Sequence, residues 1–133
     1  MVGNEGLSAL VLFGHGARDP EWRRPIEGVL ARMRSDLPEI RTEVAFHEFV
    51  GPTLGETVAT LHAAGYRRIV VVPVFIAQGG HLRQEVPAKV EALRASYPDC
   101  RITLEKAVGE ASVVQSAIAT HCRDILAGER QKE

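Results

Sequence analysis

Two histidines flanked by glycines are the residues of this chain best suited to bind a ligand. His15 is the centre of a Gly-His-Gly sequence that follows the apolar residues 10–13, and His81 follows two glycines. Glycines leave an imidazole unshielded, so we expect both histidines to be exposed at loop tips. Neutral imidazole binds first-row divalent metals such as Fe, Co, Ni and Zn, and it accepts a proton near neutral pH. Two such rings would bind a divalent metal weakly and leave coordination positions open, which suits a metal that is passed on.

The elements that must position these histidines alternate between strands and helices. Four apolar segments have the composition of strands, and the segments between them show the three-to-four spacing of amphipathic helices. The predicted strands are residues 10–13, 43–49, 68–75 and 100–107. The predicted helices begin after Pro20, at Pro52-Thr53, at Glu85 and at Glu110, and the last one ends near Leu126. This alternation predicts an α/β fold with a doubly wound parallel sheet and helices on both faces.

Such a sheet would bring the two histidines together. Ligands of open parallel sheets bind at the carboxyl ends of the strands, near the point where the strand order reverses. His15 ends the first predicted strand and His81 follows the third. In a 2-1-3-4 order these strands are neighbours, so the two rings would face each other across one crevice. Glu48 ends the second strand at the same edge, where a carboxylate could complete metal coordination or take up protons, or simply be a solvated acid.

The other histidines and the two cysteines lack this context. His47 is predicted to lie within the second strand, His62 on a helix and His121 next to a cysteine, and we interpret all three as packing or surface residues. Cys100 and Cys122 form neither a CxxC motif nor a zinc-type cluster, so we interpret them as buried thiols.

Composition excludes several classes of function. The chain has 133 residues, 45% of them apolar, and a net charge of −1. We expect one domain over residues 1–133, with its core at about 8–126 and a polar tail at 128–133. The charge balance argues against nucleic acid and membrane surfaces as partners. No signal peptide or membrane span is evident, so we expect a cytoplasmic protein. Asp19 stands where GxGxxG needs glycine, and no Walker A sequence occurs, so we expect no nucleotide.

Three segments resemble the small class II chelatases of the CbiX type. "LFGHGARDPEWRRP" (12–25) is similar to their opening HGSRDP-type motif, and "VAFHEF" (44–49) with "GPTL" (51–54) is similar to their AFxE segment. "RRIVVVPVFIAQGGHLRQEVP" (67–87) resembles their third strand, their GGH loop and the start of the next helix. The resemblance covers about residues 10–126. It implies a single chelatase domain with a three-layer, chelatase-like (flavodoxin-like) fold and a four-stranded parallel sheet in the order 2-1-3-4.

The resemblance also implies a reaction. Members of the single-subunit class insert a divalent metal into a tetrapyrrole without ATP, so Co²⁺ insertion into sirohydrochlorin, a step of cobalamin biosynthesis, is the expected activity. Fe²⁺ insertion for siroheme and Ni²⁺ insertion are the alternatives. By the resemblance, His15 and His81 bind the metal, His15 accepts protons, and Glu48 assists. The family typically pairs as homodimers.

The resemblance further implies where the macrocycle binds. The loop that lines its site corresponds to Ile76, Ala77, Gln78, Gly79 and Gly80. Sirohydrochlorin-type substrates carry many carboxylates, which nearby arginines could meet through charge-assisted bonds if they are not merely solvated; these are Arg18, Arg23, Arg24 and Arg83.

Four positions depart from the family pattern, and two other functions remain open. Ala17 replaces a serine, His47 an apolar residue, Gln78 a small residue and Glu85 an aspartate. A carrier of tetrapyrrole or metal would keep the paired histidines yet show no turnover. A domain that acts only in assembly would lose a motif histidine, and neither is missing.

Overall fold

A four-stranded parallel sheet forms the centre of the molecule, in the predicted order β2-β1-β3-β4. The computed structural model describes residues 7–128, so the tail predicted at 128–133 lies outside the described residues except for its first position. The strands are β1 (Ser8–Gly14), β2 (Arg41–Phe46), β3 (Arg68–Pro73) and β4 (Arg101–Leu104). The helices are α1 (Arg24–Asp36), α2 (Leu54–Ala63), α3 (Leu82–Ser96) and α4 (Ser112–Ala127), and short 3-10 helices cover Pro20–Arg23 and Val108–Glu110.

Strand β1 lies between β2 and β3, and this arrangement positions the site. Leu12 of β1 pairs with Val44 of β2 on one side and with Val72 of β3 on the other. Since all pairs are parallel, the carboxyl ends of these strands meet at one edge of the sheet. The loops that carry the predicted site residues therefore begin side by side.

Helices α2 and α3 cover one face of the sheet completely. The core on this face contains buried residues from both helices and from all four strands, among them Val11, Phe13, Val58, Ile69, Val71, Val86, Val90 and Ile102. A hydrogen-bonded capping box starts α2: the Glu56 N–H donates to Thr53 Oγ1 at 3.1 Å, and the Thr53 N–H donates to Glu56 Oε1 at 2.9 Å. Such caps satisfy amides that the first helical turn leaves unpaired.

The opposite face is covered only in part. Helix α1 packs on it through Ile26, against Leu12, Val44 and Phe46. Helix α4 has no buried residue among those the structure describes, and its main contact is with the 3-10 helix Val108–Glu110. Helices thus lie on both faces, as predicted, but α4 does not complete the second layer.

Several predicted boundaries are wrong, and two of them affect the site. Strands β3 and β4 end at Pro73 and Leu104, earlier than the predicted residues 75 and 107. Helix α3 begins at Leu82 rather than at Glu85, because the His81 carbonyl already accepts the N–H of Glu85 at 2.8 Å. Pro87 therefore lies inside the helix, where its missing N–H removes one bond of the ladder. Strand β2 ends at Phe46, so His47 follows the strand instead of lying within it.

Within residues 7–128, no helix combines the length and apolar composition needed to cross a bilayer.

Candidate functional site

A cleft of about 340 Å³ opens at the carboxyl ends of β1, β2 and β3. His15, Glu48 and His81, the three residues predicted to do chemistry, all line it. Its lining also includes His47, Gly79, Leu82 and Glu85. The predicted convergence of two sequence-distant imidazoles on one crevice is therefore present in the structure.

Backbone contacts between two loops fix the relative positions of His15 and Glu48. The Glu48 N–H donates to the His15 carbonyl at 3.2 Å, which extends the β1–β2 pairing past the strand ends. Gly16 has a φ of +93°, and a Cβ there would overlap the Glu48 carbonyl oxygen. Only glycine permits this close approach without strain. The second glycine of the Gly-His-Gly sequence thus lets the two loops lie against each other.

The ring of His15 is held between two other rings. Its centroid lies 5.8 Å from that of Phe75 and 6.1 Å from that of His47, and both pairs meet edge to face. Edge-to-face contacts of this kind stabilise ring orientation. His15 nevertheless remains exposed, as predicted. Its imidazole is both oriented and accessible from the cleft.

His47 is the site residue that the sequence analysis missed. Its side chain is only 9% exposed, and it contacts two residues of α3: Lys89 Nζ lies 3.0 Å from Nδ1, and Glu85 Oε1 lies 3.2 Å from Nε2. Because an ammonium group can only donate, Nδ1 is the acceptor, and the ring hydrogen belongs on Nε2, towards the carboxylate. Both nitrogens of His47 are therefore engaged within the protein.

His81 lines the cleft from the last position before α3. Its side chain is exposed and makes no capping bond to the helix. Gly80, which precedes it, has a φ of +54°, and no described atom lies within 4 Å of where a Cβ on Gly79 or Gly80 would stand. The loop tip is therefore open, which leaves the His81 imidazole available to a bulky ligand.

Most of the residues predicted to contact the macrocycle lie beside this cleft and do not line it. Among the predicted macrocycle loop residues described here, Gly79 alone lines the cleft; Ile76 is 71% exposed. Gln78 and Arg83 line a separate cavity of about 300 Å³ beside Glu105. The Arg18 guanidinium lies 4.6 Å from the centre of the Phe49 ring. Because Phe49 directly follows Glu48, Arg18 is close to the loop that carries this cleft residue.

The cleft presents its metal-binding groups without a closed cage. Across residues 7–128, no group of three or more His, Cys, Asp or Glu side chains is arranged to hold a metal ion. His15 and His81 are exposed, whereas both nitrogens of His47 are engaged. Chemically, this arrangement offers an incoming divalent ion two exposed imidazoles rather than a complete ligand set, with most coordination positions left open.

Comparison with known proteins connects this arrangement to a family. The family model described as CbiX matches residues 9–125. A sirohydrochlorin cobaltochelatase from Methanopyrus kandleri is 38% identical over 94 residues, which are 70% of this chain and 64% of that protein. One from Priestia megaterium is 27% identical over 81% of this chain and 35% of that protein. A sirohydrochlorin ferrochelatase from Bacillus subtilis is 24% identical over 88% of this chain and 45% of that protein. The chain thus spans between about one third and two thirds of the length of these relatives.

Solved structures show the same fold. A CbiX protein from Marinobacter aquaeolei VT8 superposes with a TM-score of 0.76 at 28% identity, over 95% of this chain and 98% of that one. The cobalt complex of the chelatase SirB from Bacillus subtilis subspecies spizizenii has a TM-score of 0.75 at 24% identity, over 90% of this chain and 51% of that one. At 24% identity the likeness to SirB establishes the fold alone. With a family model matched over nearly its whole length, and with that fold, this chain belongs to the CbiX family of chelatases.

Proposed function

We propose that this chain inserts a divalent metal, with Co²⁺ as the first candidate, into sirohydrochlorin without a nucleotide. The observation that carries the proposal is the convergence of His15 and His81, two exposed imidazoles from separate loops, on one cleft. The names of the cobaltochelatase relatives support Co²⁺ and sirohydrochlorin as the substrates. Imidazole alone does not select among Co²⁺, Fe²⁺ and Ni²⁺.

The reaction exchanges two protons for one metal ion. Two pyrrole N–H bonds break, four metal–nitrogen bonds form, and the two protons must leave the macrocycle. In the proposed mechanism His15 and His81 present the metal to one face of the ring, since both are exposed to the cleft. His15 then accepts the two protons in turn with the help of Glu48, whose loop is hydrogen-bonded to that of His15, and releases each of them to solvent. An open, two-imidazole site favours transfer because the metal is not held by a full set of protein ligands.

The surroundings of the cleft suit a flat, carboxylate-rich ring. Two exposed apolar side chains offer surface for a macrocycle lying across the cleft mouth: Phe49 follows Glu48 directly, and Ile76 precedes Gly79 by three residues. Arg18, stacked on Phe49, supplies a guanidinium for peripheral carboxylates. We assign the residues from Ile76 to Gly80 to the macrocycle side of the site, with the metal on the side of the two histidines.

The test is a metal insertion assay followed by the change in the sirohydrochlorin absorption spectrum. Co²⁺, Fe²⁺ and Ni²⁺ are compared side by side for the wild type, His15→Ala, His81→Ala and the control His62→Ala. We expect kcat of the first two variants to fall about 100-fold or more, since a positioned acid–base group contributes about 10²–10⁴-fold. The control, on helix α2 and bound to Asp99, keeps the wild-type rate. Wild-type turnover by His15→Ala would overturn the assignment.

The same assay decides between two further functions. The relationship to a Bacillus subtilis ferrochelatase favours iron as the alternative metal, and faster turnover with Fe²⁺ than with Co²⁺ would establish it. A tetrapyrrole or metal carrier would instead bind one equivalent and show no multiple turnover.

We also propose that two copies of the chain pair as a homodimer.

A further inference from the structure

Glu85 brings a second carboxylate into the cleft, in addition to that of Glu48. Its side chain is 52% exposed, and it lines the cleft together with His15 and His81. Its Oε1 lies 3.2 Å from Nε2 of His47, and no other side chain within residues 7–128 is paired with this carboxylate. The proposed reaction gives this group no role so far, although its charge faces the place where a divalent cation would arrive.

His81 and Glu85 lie on one face of the same helical turn. His81 has helical backbone angles, with a φ of −65° and a ψ of −33°, and its carbonyl accepts the Glu85 N–H at 2.8 Å. Residues four apart in a helix are neighbours, with about 5–6 Å between their Cβ atoms. This spacing allows two side chains of one turn to bind the same metal ion. An imidazole and a carboxylate therefore stand side by side in the cleft that both of them line.

The position of this pair at the start of α3 makes the negative charge important. The N-terminus of an α-helix carries about half a positive elementary charge, which disfavours a cation beside it. His81 directly precedes α3, and an imidazole that binds a metal is itself uncharged, so it does not offset this charge. Glu85 lies in the first turn of the helix and supplies a negative charge in the same cleft. A divalent ion at His81 is therefore better stabilised with Glu85 than without it.

His47 restricts the orientation of the Glu85 carboxylate. Because Lys89 Nζ donates to Nδ1 of His47 at 3.0 Å, the ring hydrogen lies on Nε2, which faces Oε1 of Glu85. Lys89 also donates to the His47 carbonyl at 3.3 Å, and the His47 side chain is only 9% exposed, so the ring has little freedom. Carboxylates that bind metals are commonly held by such outer groups, whose loss weakens metal binding about 10–100-fold.

We propose that His81 and Glu85 together bind the incoming divalent metal ion, and that His47 positions the carboxylate for this contact. The imidazole and one carboxylate oxygen each donate a lone pair and displace water from the hydrated ion. His15 and the macrocycle complete the coordination afterwards. The inference deepens the proposed function and rests on it for the role of His81 as a metal ligand. Since His47 stands where the family pattern has an apolar residue, the support of this carboxylate is a feature of this chain.

The first experiment measures Co²⁺ binding to the whole chain by equilibrium dialysis, without sirohydrochlorin. Glu85→Gln keeps the shape of the side chain and removes its charge, so the dissociation constant for Co²⁺ should rise about tenfold or more. The matched control is Glu91→Gln, which removes the same charge from α3 at a residue that pairs with Arg94, and it should leave Co²⁺ binding unchanged. His81→Ala should weaken binding at least as much as Glu85→Gln does.

The outcomes separate the inference from the proposed function. Wild-type Co²⁺ affinity in Glu85→Gln, together with a loss of affinity in His81→Ala, would overturn the inference and leave the proposed function standing. Wild-type affinity in His81→Ala would overturn both, because the pair would then lack its imidazole. An equal loss in Glu91→Gln and Glu85→Gln would show that only net charge matters, and it would also overturn the inference.

The second experiment tests whether His47 acts through the carboxylate. His47→Leu should weaken Co²⁺ binding about tenfold, and His47→Gln should restore most of it, because its amide offers an acceptor to Lys89 and a donor to Glu85. In a Glu85→Gln background, His47→Leu should have little further effect on the dissociation constant. Far-UV circular dichroism confirms that each variant is folded, and His47→Gln in the Glu85→Gln background replaces a leucine variant that is not. Independent, additive losses from His47→Leu and Glu85→Gln would overturn the positioning role.

Discussion

The contact between His47 and Lys89 predicts a strong energetic coupling between the end of β2 and helix α3. The Lys89 ammonium donates to Nδ1 at 3.0 Å and to the His47 carbonyl at 3.3 Å, in a half-buried position. Single substitutions break this pair, and the double substitution replaces it with apolar groups. We therefore expect the variants His47→Leu and Lys89→Met to be less than additive when they are combined.

The size of the effect follows from the hydrogen bonds that each substitution removes. A hydrogen bond to a charged group contributes about 1.5–3 kcal/mol, and the exposed interaction of His47 with Glu85 adds less than about 1 kcal/mol. His47→Leu should therefore lower the free energy of unfolding by about 2–3 kcal/mol. Lys89→Met leaves Nδ1 without its donor and should cost about 1–2 kcal/mol. The double variant should recover about 1.5 kcal/mol of the sum, because it removes both Nδ1 and the ammonium group and so leaves neither of them without the other.

Urea denaturation of the four proteins, at one protein concentration, measures this coupling. A thermal melt should show the same loss of stability. The unfolding entropy, about 2.1 cal/mol/K per residue, is about 0.28 kcal/mol/K for the 133-residue chain, so a loss of 2 kcal/mol lowers Tm by about 7 °C. Gly28→Ala, on α1 and without a shared partner, serves as the control and should add independently to His47→Leu. Additivity of His47→Leu and Lys89→Met within about 0.3 kcal/mol would refute the reasoning.

Four further outcomes follow from single residues. Gly16→Ala places a side chain at a φ of +93° against the neighbouring loop, so it should cost at least about 2 kcal/mol in urea denaturation; an unchanged midpoint would contradict the clash. Gly28→Ala places a Cβ on α1 where no described atom lies within 4 Å, so it should raise the free energy of unfolding by about 0.5–1 kcal/mol, or Tm by about 2–4 °C. A lower Tm would contradict the helical position of Gly28. The hydrogen bond from His62 lowers the pKa of Asp99, so the ionised carboxylate stabilises the folded chain at neutral pH. This contribution disappears as the pH falls below about 4, where the carboxylate becomes protonated. Asp99→Asn should flatten that part of the curve of stability against pH, and an unaltered curve would exclude the pair. Burial raises the pKa of the Cys100 thiol, so a thiol reagent at pH 8 should label it much more slowly in the native protein than in urea, and equal rates would show that it is accessible.

The strand order and the position of the site could be predicted from the sequence because both depend on simple periodic signals. Alternating strands and helices leave few topologies, and in a parallel sheet every strand ends at the same edge. His15 and His81 follow neighbouring strands, and their glycines mark them as loop residues, so their shared cleft follows from the topology. Glu48 was predictable for the same reason.

The features that the sequence did not reveal depend on exact boundaries and on tertiary contacts. The alternation of residues 43–49 predicts a strand that includes His47, but β2 ends one residue earlier and the His47 ring contacts α3. The preference of proline for a first turn predicts a helix start at Glu85, whereas the carbonyl of His81 already accepts the first helical hydrogen bond. An apolar stripe on α4 predicts burial, whereas no residue of this helix is buried in the part of the chain that the structure describes.

The separation of α4 from the core means that the sequence of the last helix can change without altering the packed interior. Strands β1 to β4 and helices α1 to α3 supply every helix and strand residue of the two hydrophobic clusters, and α4 supplies none. Substitutions along the last helix should therefore leave the packing of the interior nearly unchanged. An engineer can use this freedom to vary the surface of α4 without redesigning the core.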